Sequence, residues 1–311
     1  MNAPAPGSRS TAPRHRLRAA EHTLELGGRP WLMGIVNASP DSFSDGGRKP
    51  TLRAQVQLAR ELLDAGADIL DIGGESATTG RPAVAVEEEL RRVVPLVQTL
   101  VGEFGAIVSV DTYKPAVAQA AVEAGAGIVN DVSGLRDPGL ADVCARSGAA
   151  LVVMHTRAAP RQRLQDTELY GDITAEVLAF LRERIAVALA AGVSPEQLIV
   201  DPGPDFAKTP AQTIRLLSQL DRLHELDRPL LMAVSRKDFV GALTGRAPRE
   251  RLAGTLAALA HGVDAGAHIF RVHDVAAAAD FLVVRAALSG EREPSRDLAL
   301  AEELRHDRLT G

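Results

Sequence analysis

Eight short apolar runs, each followed by an amphipathic stretch of helical period, predict an α/β protein: a (β/α)8 TIM barrel with an N-terminal hairpin. The runs alternate little between apolar and polar, as parallel strands buried on both faces require. No GxGxxG turn follows any of them, which lowers the doubly wound, dinucleotide-binding alternative. At 311 residues the chain exceeds a common domain. Barrels of this class, however, reach about 250 residues or more as one unit.

In chain order, residues 1–16 are rich in Pro, Ser, Arg and Ala without period, and are expected to form a disordered leader. HTLELGGRPWLMGIVN (22–37) reads as a hairpin around Gly27-Gly28 that runs into the first buried strand, 31–37. Further strands are expected at 68–75, 106–112, 127–134, 150–156, 198–203, 230–236 and 268–274. Helical patterns lie between them, clearest at 53–67 and 173–192. Gly66, Gly125 and Gly266 stand where a left-handed residue ends a helix. One barrel domain is therefore expected over 17–290, with a polar surface appendage at 291–311.

Composition narrows the function. Apolar residues make up 46 % and charged residues 24 %, ordinary values for a globular chain. The formal net charge of −5 argues against a nucleic-acid or membrane-surface partner, while leaving room for a local basic pocket. With 7 Phe, 2 Tyr and 1 Trp, stacking platforms for single-stranded nucleic acid are not expected. The single cysteine, Cys144, excludes an internal disulfide and a multi-cysteine zinc site, and reads as a packing residue. No apolar run approaches the roughly 20 residues that span a bilayer. The first residues lack the apolar stretch of a secretory signal, so a cytoplasmic protein is expected.

Active sites of such barrels form at the carboxyl ends of the strands. Polar residues gather there: Asn37, Asp71 with Glu75, Asp111, Asn130 with Asp131, His155, Asp201, Ser235-Arg236-Lys237, and Arg271 with His273. Any one of them could merely cap a helix; all eight strand ends carrying one is the pattern that points to a site. Asp111, Asn130 and Asp201 offer acceptors for a ring with adjacent N–H donors, such as a 2-amino-4-oxo-pyrimidine. Lys237, Arg271 and His273 offer cationic donors for a phosphate or diphosphate. Asn37 could give one oxygen to a Mg2+ that keeps most of its waters and bridges diphosphate oxygens.

MGIVNASPDSFSDGG (33–47) and DIGGES (71–76) resemble the first two signatures of the dihydropteroate synthases. SVDTYKPAVAQAAVEAGAGIVNDVSG (109–134), VVMHT (152–156), DPGPDF (201–206), SRKDFVG (235–241) and RVHDV (271–275) follow in that family's order, so the likeness covers roughly 31–290. It implies a pterin-binding barrel that joins 6-hydroxymethyl-7,8-dihydropterin diphosphate to p-aminobenzoate, releasing pyrophosphate and 7,8-dihydropteroate. It also implies a Mg2+ cofactor and a homodimer paired through barrel helices.

Carried onto matching positions, the resemblance puts Asp111, Asn130, Asp201 and Lys237 at the pterin, with Met154 and Phe206 against its faces. It puts Asn37 (through Mg2+), Arg271 and His273 at the diphosphate. Ser235 and Arg236 fall on the amine side, with Phe43 and Asp41 from the first loop. Lys237, Arg271, His273 and Asp41 are the implied catalytic groups. They would act on a dissociative displacement at the exocyclic methylene, the cations stabilising the departing pyrophosphate while closed loops exclude water.

Departures from the family pattern are local. The second loop reads Ser76-Ala77-Thr78-Thr79-Gly80-Arg81-Pro82 where Ser-Thr-Arg-Pro-Gly is usual, placing Thr78 at the arginine position as a candidate substrate contact. Residues 155–160 also depart, and Pro204-Asp205 puts an extra carboxylate near the pterin pocket. The altered second loop keeps open a paralogue that binds the pterin diphosphate as a sequestering or regulatory module, or that uses another amine. A methyl-transfer pterin barrel is disfavoured by the SRK and RVH cations, because methyl transfer has no diphosphate to hold.

Overall fold

The structure, a computed structural model, describes residues 12–38, 51–75 and 83–305. Asp41, Phe43 and Thr78 lie outside the described residues. β1 (His15–Ala19) and β2 (His22–Leu26) form a two-stranded antiparallel sheet. The barrel strands are β3 (Trp31–Asn37), β4 (Ile69–Gly73), β5 (Ile107–Asp111), β6 (Ile128–Asp131), β7 (Ala150–Met154), β8 (Leu198–Asp201), β9 (Leu231–Met232) and β10 (Ile269–Val272). They lie in the order β8-β7-β6-β5-β4-β3-β10-β9, all parallel, and a bridge between Val200 and Leu230 closes the ring.

Helices cover the outside: α1 (Leu52–Asp64), α2 (Val86–Phe104), α3 (Pro115–Glu123), α4 (Gly139–Ser147), α5 (Ile173–Ala190), α6 (Pro210–Leu217), α7 (Asp238–Thr244), α8 (Leu252–Asp264) and α9 (Val275–Leu288). Local sequence sets their ends. Thr51 caps α1 by accepting from the Ala54 N–H, and α6 opens on a capping box of Thr209 and Gln212. After α3 the chain turns through Gly125 (φ 109°), where a Cβ would meet Val101 at 2.9 Å. Among the described residues, no helix is long and apolar enough to cross a membrane.

Two apolar cores result. The larger lies between strands and helices and contains Leu32, Leu70, Ile72, Val110, Leu151, Val200 and Phe270. The smaller fills the barrel's N-terminal mouth: Leu17, Ala19, Leu24 and Leu26 of the hairpin pack with Met33, Ile69, Ile128, Ile199, Leu231 and Ile269. Alternation in β1 and β2 puts every second side chain inward, so the hairpin acts as a plug.

The hairpin differs from its expected form. Its turn is Ala20-Glu21, with Ala20 in left-handed backbone (φ 53°), while Gly27-Gly28 only links β2 to β3. Ala-Glu carries no turn signature, whereas Gly-Gly does. The first strand also takes in His15 and Arg16, which the expected leader included. Strand β9 is shorter than the expected 230–236, because the chain leaves the sheet before Ser235-Arg236-Lys237. Cys144 is buried in α4, where burial pushes its thiol up to about 12, in keeping with a packing role.

Candidate active site

Register places the strand-end groups at common levels. Asp111 of β5 pairs with Asn130 of β6, and Met154 of β7 with Asp201 of β8. Asp71, two residues before the end of β4, is fully buried and joins distant groups. Its carboxylate accepts from Asn130 Nδ2 (3.2 Å) and from Arg271 Nε (2.6 Å). Arg271 donates its Nη2 to Asp111 as well, at 2.8 Å. Burial, with the charges of Asp71, Glu89 and Asp131, raises the Asp111 carboxyl, and Arg271 pulls it the other way. Thus Arg271, expected at the anion, rests on two carboxylates of the barrel floor.

On the opposite side, Asp201 accepts the Gly203 N–H at 2.7 Å. Burial raises its carboxyl, opposed by that hydrogen bond and by Lys237, Lys208 and Arg271. The Lys237 ammonium lies 4.3 Å from the centre of the Phe206 ring, a cation–π contact. Burial lowers the pKa of Lys237, and Asp205 and Asp201 work to restore it. The extra carboxylate of Asp205 is partly committed: it accepts from the Thr213 hydroxyl (3.0 Å) and from the Phe239 N–H (3.3 Å) at the start of α7.

Two clasps join the SRK and RVH segments. The Ser235 hydroxyl meets the His273 N–H (3.2 Å) and Nδ1 (3.0 Å), and Arg236 makes a two-pronged pair with Asp274 (3.1 and 2.7 Å). His273 departs from expectation. Packing around the ring, then the charges of Arg271 and Arg236, push its pKa down to about 4, so near neutrality it is a neutral imidazole and not a cation.

Asp111, Phe206, Arg236 and Lys237 line one cavity of about 340 Å³. Asn130, Met154 and Asp201 are buried (2 %, 1 % and 3 % exposed), outside its immediate lining. The cavity's other wall is an ion network around Glu75, a strand-end residue whose partners the sequence does not point to. Glu75 accepts from Lys114 (2.6 Å), Arg161 (2.5 Å) and Tyr113 (3.2 Å), and Lys114 also reaches Glu89 (2.5 Å). Against its burial, the hydrogen bonds from Lys114 and Arg161 hold the Glu75 carboxyl below its usual range. Asn37 ends β3, with Gly73 of β4 beside it in register.

The family profile described as pterin binding enzyme matches residues 33–273. The dihydropteroate synthase of Escherichia coli K12 is 40 % identical over 277 residues, covering 89 % of this chain and 98 % of that one. The Bacillus subtilis dihydropteroate synthase is 42 % identical over 245 residues, covering 78 % and 83 %. Among solved structures, a Xanthomonas albilineans dihydropteroate synthase with 4-aminobenzoic acid is similar at 47 % identity and a TM-score of 0.83, covering 91 % of this chain and all (100 %) of that one. The same organism's enzyme in complex with 7,8-dihydropteroate is similar at 46 % identity and TM-score 0.79, covering 90 % and 100 %.

Proposed function

From the premise that this chain belongs to the pterin-binding enzymes, as a member of the dihydropteroate synthase family, we propose how its residues divide the work of that transferase. The enzyme condenses 6-hydroxymethyl-7,8-dihydropterin diphosphate with p-aminobenzoate, giving 7,8-dihydropteroate and pyrophosphate. In our reading Asp111, Asn130 and Asp201 accept the pterin's N–H groups, and Lys237 donates to the ring. Phe206 and Met154 pack on its faces. Arg271 and His273 take the diphosphate, Arg271 as the cation and His273 as a neutral donor. Ser235 and Arg236 face the amine, with Asp41, Phe43 and Thr78 added on motif match alone.

One observation carries this reading: floor carboxylates and rim cations form a connected array, Asn130–Asp71–Arg271–Asp111, which reaches the cavity at Asp111, while Lys237 lines the same cavity and its charge acts on Asp201. Departure of pyrophosphate leaves positive charge on the pterin methylene, and fixed anions beneath the ring favour that charge without reorganising. Arg271 can exchange a floor carboxylate for a diphosphate oxygen, both being matched to its planar fork. Exclusion of water from the closed complex would leave the arylamine as the nucleophile within reach.

Asn37 has the donor chemistry that suits a hard, largely hydrated ion: one amide oxygen at the carboxyl end of β3. It would hold the Mg2+, which when bound neutralises charge on the diphosphate. The reading also includes a homodimer in the cytoplasm. Support for pairing comes from an apolar groove of about 380 Å³ between α6, α7 and α8, beside which Leu243 is 68 % exposed.

The test is pyrophosphate release in Mg2+, with and without p-aminobenzoate. Release that depends on p-aminobenzoate is expected. Binding without release would instead make the chain a pterin-binding module, and release only with another amine would change its second substrate.

A further inference from the structure

Among the largest fully buried side chains in the protein is a lysine, Lys208, just behind the cavity and outside every motif used above. Its ammonium lies 2.8 Å from His155 Nδ1, 3.3 Å from the His155 carbonyl, 2.9 Å from the Gly203 carbonyl and 3.0 Å from the Phe206 carbonyl. As an ammonium it has three hydrogens and no acceptor, so the three nearer neighbours accept one each and the His155 carbonyl at 3.3 Å can only share one of them. The His155 ring can accept, because burial, then the Lys208 charge, push its pKa far down and keep the ring neutral, with its own hydrogen on Nε2. The ring is held edge-on against Phe180, 4.9 Å between centres.

Among the described residues no carboxylate hydrogen-bonds Lys208; burial pushes its pKa down to about 7, Lys237 adds to that, and Asp201 and Asp205 oppose it only from farther away. A buried ammonium with neutral partners is a poor stabiliser compared with an apolar side chain of the same size. The segment it grips is unusual as well. Gly203 (φ 65°), Asp205 (φ 64°) and Ala207 (φ 50°) all take left-handed backbone, costly for the two that are not glycine. At Gly203 any Cβ would fall 2.1 Å from the His155 carbonyl oxygen. Asp205, Phe206 and Ala207 line the cavity, and Phe206 meets Lys237 there.

We propose that Lys208 is a positioning residue of the pterin pocket, pinning the strained segment 203–207 to the end of β7 so that the Phe206 ring and the Asp201 carboxylate are held in place. Lys208 grips the carbonyls of the segment, and Thr213 and the Phe239 N–H grip the Asp205 carboxylate. When protonated, Lys208 joins Lys237 and Arg271 in favouring the ionised form of Asp201. This inference rests on the pterin-pocket reading above.

The experiment compares Lys208→Gln, which keeps N–H donors and loses the charge, with Lys208→Met, which loses both. Each full-length variant is checked for folding by circular dichroism. Its KM for the pterin diphosphate and for p-aminobenzoate is then measured across pH, with Mg2+ present. The expected result is a rise of about tenfold or more in the pterin KM with the p-aminobenzoate KM unchanged, because one pKa unit of lost charge stabilisation is about a factor of ten. The acid limit of pterin binding also moves to higher pH, since Asp201 loses a neighbouring cation; a purely structural role would not move it. Folded variants with the parental pterin KM and pH profile overturn the proposal. So does failure of both to fold, which leaves Lys208 a stability role alone. Asp201→Asn separates the two readings: parental pterin binding in that variant sinks the pocket assignment itself, whatever Lys208 does.

Discussion

The two mouths of this barrel are made by the same strands and have opposite chemistry. At the N-terminal mouth Met33, Ile69 and Ile269 meet the hairpin's Leu17 and Leu24 in an apolar plug. Its histidine, His268, is neutral: Nδ1 accepts from the Leu230 N–H (3.0 Å) and Nε2 donates to the Pro13 carbonyl (2.8 Å). A few residues further along, the same strands carry Asn37, Asp71 and Arg271, and the mouth holds buried charges joined to one another. Strands rise about 3.3 Å per residue, so roughly 7 Å separates a stabilising level from a reactive one. Apolar burial at one end offsets the unfavourable burial of charge at the other, which is why a barrel can keep a charged site without coming apart.

Substitutions at the charged mouth should change turnover and those at the plug should change stability. The largest effect is expected for Asp201→Asn and Lys237→Ala. Each should lower kcat/KM by roughly a thousandfold, as loss of a fixed charge at the reacting centre does, with little change in melting temperature. Turnover near the parental value would erase the distinction between the mouths. At the plug, Leu17→Ala should destabilise by about 2–5 kcal/mol in urea unfolding, with kcat unchanged; a loss of kcat in the folded variant would tie the plug to the chemistry.

The smallest effect is a pH effect at the plug. Burial lowers the pKa of His268 to about 4 in the fold, against an unfolded value of 6.5. A depressed histidine leaves the unfolded chain binding more protons between those values, so its contribution is full above pH 6.5 and is lost as pH falls toward 4. It amounts to about 3 kcal/mol at most. Unfolding free energies of the parent and His268→Gln should therefore show a shallower acid slope in the variant. Equal slopes would mean that other groups carry the acid sensitivity.

Much of this was legible in the residues. Each of the eight barrel strands lies within its expected run, since an apolar stretch bounded by polar residues is a local signal. The hairpin's turn was not, because Ala20-Glu21 looks like any exposed pair while Gly27-Gly28 looks like a turn. At the site, residue types were readable but engagements were not. Arg271 reads as a free cation and is found on Asp71 and Asp111; His273 reads as a cation and is neutral. Lys208, Lys114 and Arg161 were missed because a lysine or arginine in a loop or at a helix start usually points to water. Asp71 did leave a trace: a carboxylate inside the buried run ILDIG has to find a partner.

By itself the sequence determined the order of strands and helices, the level at which each strand turns polar, and the family the chain belongs to, all through periodicity and motifs. Only the tertiary structure decided who pairs with whom and which groups carry charge. Asp71 and Arg271 are 200 residues apart in the chain and 2.6 Å apart in the fold. Charge states depend on burial and on such neighbours, quantities that come into being only when the barrel closes.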